Sequence, residues 1–204
     1  MILDGAMPDN VEKAIIAAYH ELEENGPTPS VAARSSATAE DLPEASFAGQ
    51  LETFLNVKGD AALIEACRKC FASLYTDRAI SYRRNHGFGQ LDVAVSVGVQ
   101  RMVRSDLASS GVMFSLDTES GFPNAVLING AWGLGETVVQ GMVDPDEYEV
   151  FKPLLDDEKL TPILRRKCGA KEEKLIYADK GARPVALKDT SSEERASFVL
   201  DEDE

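Results

Sequence analysis

The chain has 204 residues, 44% of them apolar, and a formal net charge of −14. That length suits one or two domains with a sizeable core, and the apolar share excludes a disordered polymer. The acidic balance argues against nucleic acid or an anionic membrane as the main partner, because both call for clustered Lys and Arg; a nucleotide needs only a local positive site or aligned backbone N–H groups.

No apolar run approaches the roughly 18–20 residues of a membrane span. The opening "MILDGAMPDNVEK" lacks the basic segment and apolar core of a secretion signal. Three cysteines, an odd number, do not make a disulfide framework, so a reducing cytoplasm is expected. Both ends read as cut. The chain enters a helix almost at once, and it closes on "SSEERASFVLDEDE", with seven acids and one arginine from Asp189 to Glu204. That ending reads either as a solvated tail or as the start of a helix without its body.

In chain order, Asp9 to Asn25 predicts an amphipathic helix. Asp9 with Glu12 fits a capping box, and Val11, Ile15, Ala18, Tyr19 and Leu22 share one face. "NGP" at 25–27 stops it. "SVAARS" at 30–35 is a short strand. "DLPEAS" at 41–46 supplies a helix start, with Asp41 as cap and Pro43 in the first turn. In "TFLNV" at 53–57, Thr53, Leu55 and Val57 alternate with Phe54 and Asn56, which predicts a strand. Asp60 to Arg84 is one long helical pattern, with Leu63, Cys67, Cys70 and Leu74 at helical spacing. The period then changes to two. Val93, Val95, Val97 and Val99 alternate with small or polar residues, the pattern of a half-buried strand. Further strands are predicted at 111–116, 125–130, 148–152, 163–167 and 174–178. Together these elements predict an α+β fold with two lobes, the second mostly antiparallel.

Few of the chemical motifs hold up. "CRKC" at 67–70 has redox or zinc spacing, but both cysteines lie on the apolar face of a helix and read as core. Cys168, His20 and His86 show no paired ligand spacing. Two histidines and the lack of a G-x-S-x-G elbow give little support for a hydrolase. In "GAWGLGETVVQG" at 130–141, Gly130 and Gly135 have the outer spacing of a Walker loop, but Glu136 stands where lysine belongs. The stretch reads as a tightly packed strand-to-loop turn, with a binding role as the other reading. Trp132 beside it reads as core. "SVAARSSATAEDLPEASFAGQ" at 30–50 is small, hydroxylated and acidic, with Arg34 at its head. A linker, a capped surface loop with a salt-bridged arginine and a phosphate-binding loop are all open readings of it.

Longer stretches decide among them. "ARSSATAEDLPEASFAGQLETFLNV" at 33–57, "CFASLYTDRAISYR" at 70–83, "VAVSVGVQRMVRSDLASSGVMFSLDTESGF" at 93–122 and "WGLGETVVQGMVDPDEYEVFKP" at 132–153 resemble the nucleotide-binding domain of the pyruvate phosphate dikinase-like family. "DPDEYEVFKPLL" with "RRKCGAKEEKLIYADKG" at 165–181 resembles its phosphoenolpyruvate synthase branch rather than the rifampin phosphotransferases. The resemblance implies an ATP-grasp-like domain with ATP between two lobes, incomplete here at both ends. The first lobe would span 1–103, with a phosphate-covering loop at 33–53 and a hinge near 100–103. The second, strand-rich and truncated, would span 104–204. The resemblance places Arg34 on the ATP phosphates and Gly49 and Thr53 on the covering loop. It matches Gln100 to a nucleotide-contacting glutamine and sets Met102 and Val103 beside the adenine. No metal ligand is assigned in this chain. The implied cofactors are ATP and Mg²⁺, and the implied partners are phosphohistidine and pyruvate-binding domains of the same full-length protein. The family reaction turns ATP, pyruvate and water into AMP, phosphoenolpyruvate and phosphate. A dikinase-like enzyme with another acceptor such as rifampin, and a non-catalytic nucleotide-binding remnant, are the alternatives.

Three features depart from the family pattern. Its phosphate-binding lysine would lie before Met1. Its site-closing acidic, glutamine and arginine residues would lie after Glu204. The phosphohistidine and pyruvate-binding domains are missing; Leu51 and Ala33 also replace a usual glutamine and valine. The stretch alone is therefore expected to be inactive.

Overall fold

The computed structural model describes residues 3–22, 28–38, 41–42, 45–46, 52–89, 91–157, 159–178 and 184–201. The chain divides into two compact units, Met1–Met102 and Val103–Glu204.

Unit 1 contains α1 (Asp9–Glu21), β1 (Val31–Ala37), β2 (Asp41–Leu42), β3 (Ala45–Ser46), β4 (Thr53–Val57), α2 (Asp60–Ser73), α3 (Asp77–Asn85) and β5 (Val95–Arg101). β1 is the middle strand of an antiparallel sheet ordered β4-β1-β5. Val31 and Ala33 of β1 are wholly buried. They share a core with Tyr19 of α1 and with Leu63, Ile64, Cys67 and Cys70 of α2. Burying each large aliphatic side chain there contributes about 1.5–3 kcal/mol. The Tyr19 hydroxyl donates to the Pro29 carbonyl (2.7 Å) and accepts the Gly59 N–H (3.0 Å), so its polar end is satisfied inside the core. Cys67 and Cys70 are core residues, as their spacing predicts. Burial pushes both thiols up, Cys70 to about 12.

Several local expectations in unit 1 need correction. α1 has Pro8 at its N-cap with no side-chain cap, so Asp9 and Glu12 form no capping box; the Pro8 carbonyl accepts from Val11 and Glu12 instead. α1 is described to Glu21, and the stop at 25–27 lies outside the described residues. The predicted helix over 60–84 is two helices. Thr76 ends the first and caps the second: its hydroxyl donates to the Ser73 carbonyl (3.0 Å) and accepts the Ala79 N–H (3.3 Å). Apolar spacing runs across this break because α3 keeps Ala79 buried and also buries Arg83, whose guanidinium donates to the Leu74 carbonyl. Asp41 starts no helix. Asp41–Leu42 pairs antiparallel with Ala45–Ser46.

β4 departs from strict alternation. Val31 faces Val57, yet Ala33 faces Phe54, so β4 spends one more residue than β1 over this span. The resulting bulge holds Asn56 at φ +53. Its side-chain oxygen accepts from the Ser30 hydroxyl (2.7 Å). A bulge resets the period-two pattern. Phe54 and Val57 can therefore both pack on the core while Thr53 remains exposed.

Unit 2 contains β6 (Ser109–Phe114), β7 (Ala125–Trp132), α4 (Glu136–Val139), β8 (Asp146–Phe151), β9 (Ile163–Lys167), β10 (Glu173–Tyr177), β11 (Val185–Asp189) and α5 (Ser192–Ala196). β6-β7-β8-β9 form an antiparallel meander, and β10-β11 form a separate antiparallel pair. Five of these strands were expected; β11 was not, because "VALKD" is short and polar at its end. Gly133 has φ +86, and a Cβ there would lie 2.6 Å from the Leu175 carbonyl oxygen. The glycine-rich stretch is thus the tight turn its composition suggested. Trp132 is half-buried and donates its indole N–H to the Glu194 carbonyl (2.8 Å).

The closing stretch is neither a plain tail nor a bare helix start. Ser191 and Glu194 form a reciprocal capping box on α5, and beyond α5 the chain packs Val199 into the unit. Beneath it lies a buried ion pair. Asp146 and Lys171 are both wholly buried and hydrogen-bonded to each other. The two Asp146 oxygens also accept the N–H groups of Gly169 and Val199, each at 2.8 Å. Lys171 donates further to the Gly169 carbonyl (2.9 Å) and lies 3.2 Å from the Cys168 sulfur.

Candidate functional site

β1 and its two neighbours define a second face of the unit 1 sheet, opposite the core. Directly opposed residues on antiparallel strands point to the same side. Arg34 opposes Thr53 of β4 and Gly98 of β5; Ser36 opposes Ser96, and Ala32 opposes Gln100. Val31, Ala33, Val97 and Val99 occupy the intervening positions and pack on the core. The outer face is therefore built from Arg34, Thr53, Gln100, Ser36, Ser96, Gly98 and Ala32. All but the small Ala32 are exposed or half-buried. Opposed Cβ atoms such as those of Arg34 and Thr53 stand about 4.5–5.5 Å apart, and diagonal ones about 7–8 Å.

This face carries one charge. Arg34 is the only Lys or Arg between Lys13 and Lys58. Among the described residues, no carboxylate pairs with its guanidinium. The main chain beneath it is firmly held. β1 bonds on both sides, Ser35 donates both N–H (3.3 Å) and hydroxyl (2.8 Å) to the Glu52 carbonyl, and the Cys70 thiol sits 3.6 Å from the Ala33 oxygen. A strand bonded on both sides thus presents an exposed cationic fork beside a hydroxyl and an amide. Such a set suits an anion with several oxygens better than an apolar ligand.

Of the residues expected at the site, the fold brings Arg34, Thr53 and Gln100 onto one face of one sheet. Met102 follows β5 and is half-buried, its N–H donating to the Ser30 carbonyl (2.9 Å). Val103 opens unit 2 and is 80% exposed. Gly49, like Leu51, lies outside the described residues. Ser36, Ser96 and Gly98 were not singled out from the sequence. The signal for Ser96 and Gly98 was present in "VAVSVGVQ" at 93–100, where the non-valine positions are the outward ones, but only the strand register shows that they and Ser36 flank Arg34.

The class of the chain follows from comparison with known proteins. Residues 1–204 match the family described as pyruvate phosphate dikinase, AMP/ATP-binding domain, and the chain belongs to that family. Among individual proteins it is similar to phosphoenolpyruvate synthases. It is 54% identical over 210 residues to that of Synechocystis sp., 52% over 205 residues to that of Escherichia coli K12, and 50% over 207 residues to that of Helicobacter pylori. Each alignment covers 100% of this chain and 25–26% of the relative. The chain therefore spans about a quarter of the length of these relatives.

Proposed function

We propose that this chain is the ATP-binding part of a phosphoenolpyruvate synthase, which converts ATP, pyruvate and water to AMP, phosphoenolpyruvate and phosphate through a phosphohistidine on a separate domain. The observation that carries the proposal is the match of the whole chain to an AMP/ATP-binding domain family, at about half identity to synthases. In this reading the domain is ATP-grasp-like, with unit 1 as its first lobe and unit 2 as its second. In the same reading the protein is cytoplasmic.

The outer face of the unit 1 sheet then receives the nucleotide. Arg34 takes phosphate oxygens in its planar fork and neutralises the negative charge that builds on the bridging oxygen as it leaves with the departing phosphate. Thr53, directly opposite, donates its hydroxyl to the same phosphates, and Gly49 adds a backbone N–H. Gln100 fixes the nucleoside end, with Met102 and Val103 flanking the adenine. Among the described residues no group of three or more His, Cys, Asp or Glu converges to hold a metal ion. Magnesium, which the reaction of this family implies, would supply charge neutralisation at the phosphates, and no side chain of this chain is proposed to hold it. Positioning and charge neutralisation are what such phosphoryl transfer requires from the protein.

The test is product analysis with the intact protein. β-Labelled ATP should label a histidine, and AMP and phosphoenolpyruvate should accumulate once pyruvate is added. Transfer to another acceptor such as rifampin, with none to pyruvate, would overturn the synthase assignment and keep ATP binding. Absence of nucleotide binding would overturn both.

A further inference from the structure

β5 carries a glycine at its centre, Gly98, opposite Arg34. Glycine weakens a strand interior, and it usually stands there because the backbone needs a positive φ or because something passes too close for a Cβ. The first reason fails: among the described residues the glycines with positive φ are at 59, 87, 121, 133 and 141. Crowding by the protein itself fails as well. A Cβ on Gly98 would meet only the Arg34 carbonyl oxygen, at an ordinary 3.8 Å, whereas at Gly111, Gly133 and Gly169 it would lie 2.1, 2.6 and 2.2 Å from backbone oxygen. Those three glycines are required by the fold, and Gly98 is not. Its bareness opens onto the outer face, where Arg34 stands across from it and Gln100 two residues along.

The geometry points to Gly98 as a positioning residue for the nucleotide, its bare main chain being the floor on which the ribose of ATP lies. The inference rests on the nucleotide reading above and deepens it. Arg34 marks the phosphate end and Gln100 the base end. The two strand residues from Gly98 to Gln100 cover about 6.6–6.8 Å, the reach of a ribose with its 5′ oxygen. A side chain at 98 would stand in that path, while one at Ser96 or Ser36 would not.

The experiment replaces Gly98 in the intact protein by Ala, Val and Leu, beside Arg34→Ala. It measures thermal unfolding and the binding of ATP and of inorganic tripolyphosphate, which has the phosphates and no ribose. Gly98→Ala should bind ATP within a few-fold of the parent protein. Gly98→Val and Gly98→Leu should lose at least about tenfold in ATP affinity, as filling an occupied space does. Their unfolding temperature should be unchanged or raised, and their tripolyphosphate binding unchanged. Arg34→Ala should weaken both ligands. Parent-like ATP binding by Gly98→Leu would overturn the inference, and so would loss of fold in Gly98→Val or equal weakening of tripolyphosphate. If Arg34→Ala is weakened in those cases, the nucleotide reading of the face stands without Gly98. Undiminished binding of both ligands in Arg34→Ala would remove the nucleotide from this face altogether.

Discussion

The outer face of the unit 1 sheet and the Asp146–Lys171 node of unit 2 handle charge in opposite ways. At the node, a wholly buried carboxylate meets a wholly buried ammonium and two backbone N–H groups, so its charge is answered from within the fold. On the outer face, Arg34 sits on an equally well-bonded strand, yet no described acidic group answers it. Taking two ions out of water is unfavourable unless geometry and hydrogen bonds offset it. The node meets that condition and is architecture. Arg34 stays in solvent at little cost and remains available to a ligand.

The largest effect that would test this contrast is at the node. Asp146→Ala leaves the Lys171 ammonium buried without its counter-charge, and loss of one partner of a buried pair typically costs about 3–5 kcal/mol. Denaturant unfolding should show that loss. The double variant Asp146→Leu with Lys171→Met should recover much of it, because it removes both charges together. A stable Asp146→Ala protein would mean that the node is decoration. At the other pole, Arg34→Ala should leave stability within about 1 kcal/mol, the range of exposed charges. In the intact protein it should slow labelling of the histidine by about 10²–10³. Lysine should substitute poorly, lacking the bidentate fork. Single-turnover labelling run beside thermal unfolding separates the two readings: parallel loss of fold and labelling would make Arg34 structural.

Smaller effects sharpen the picture away from both poles. Thr76→Ala removes the cap of α3 and should cost about 1 kcal/mol, while Thr76→Ser should cost less. The smallest is a pH effect. Arg104 donates to both oxygens of Asp106, at 2.7 and 2.8 Å, and this bonding holds the Asp106 carboxyl below its ordinary range. A carboxyl depressed by folding contributes stability above its unfolded value, and that contribution fades as pH falls through the folded value. The pair should therefore weaken below about pH 4. Asp106→Asn should flatten that part of the stability curve; an unchanged acid limb would show that the pair contributes nothing.

Much of the fold was legible because burial leaves a period. The valines at 95, 97 and 99, the apolar rows of α1 and α2, and five strands of unit 2 all follow it. The misses occurred where one residue's hydrogen bonding outweighs the period. Thr76 breaks a helix whose apolar row runs on regardless. Asn56 shifts the alternation of β4. Asp41, a good cap by type, sits in a two-residue strand. β11 gave little signal because its side chains are mostly exposed. For the site, the sequence resemblance named Arg34, Thr53 and Gln100, but their convergence depends on register between strands about 20 and 65 residues apart, which no local pattern encodes. The Asp146–Lys171 pair was missed for the same reason: its partners come from different parts of the chain, and nothing near either residue announces the other.

The bulge in β4 also sets an arithmetic for chain length. Thr53 faces outward and Val57 inward only because one residue between them goes uncounted in the pairing. Deleting that residue would restore perfect pairing and ruin the result, since either Thr53 would turn into the core or Val57 would turn out of it. Only changes of length in steps of two would keep both residues on their present faces. A single-residue deletion is harmful here although it removes an irregularity.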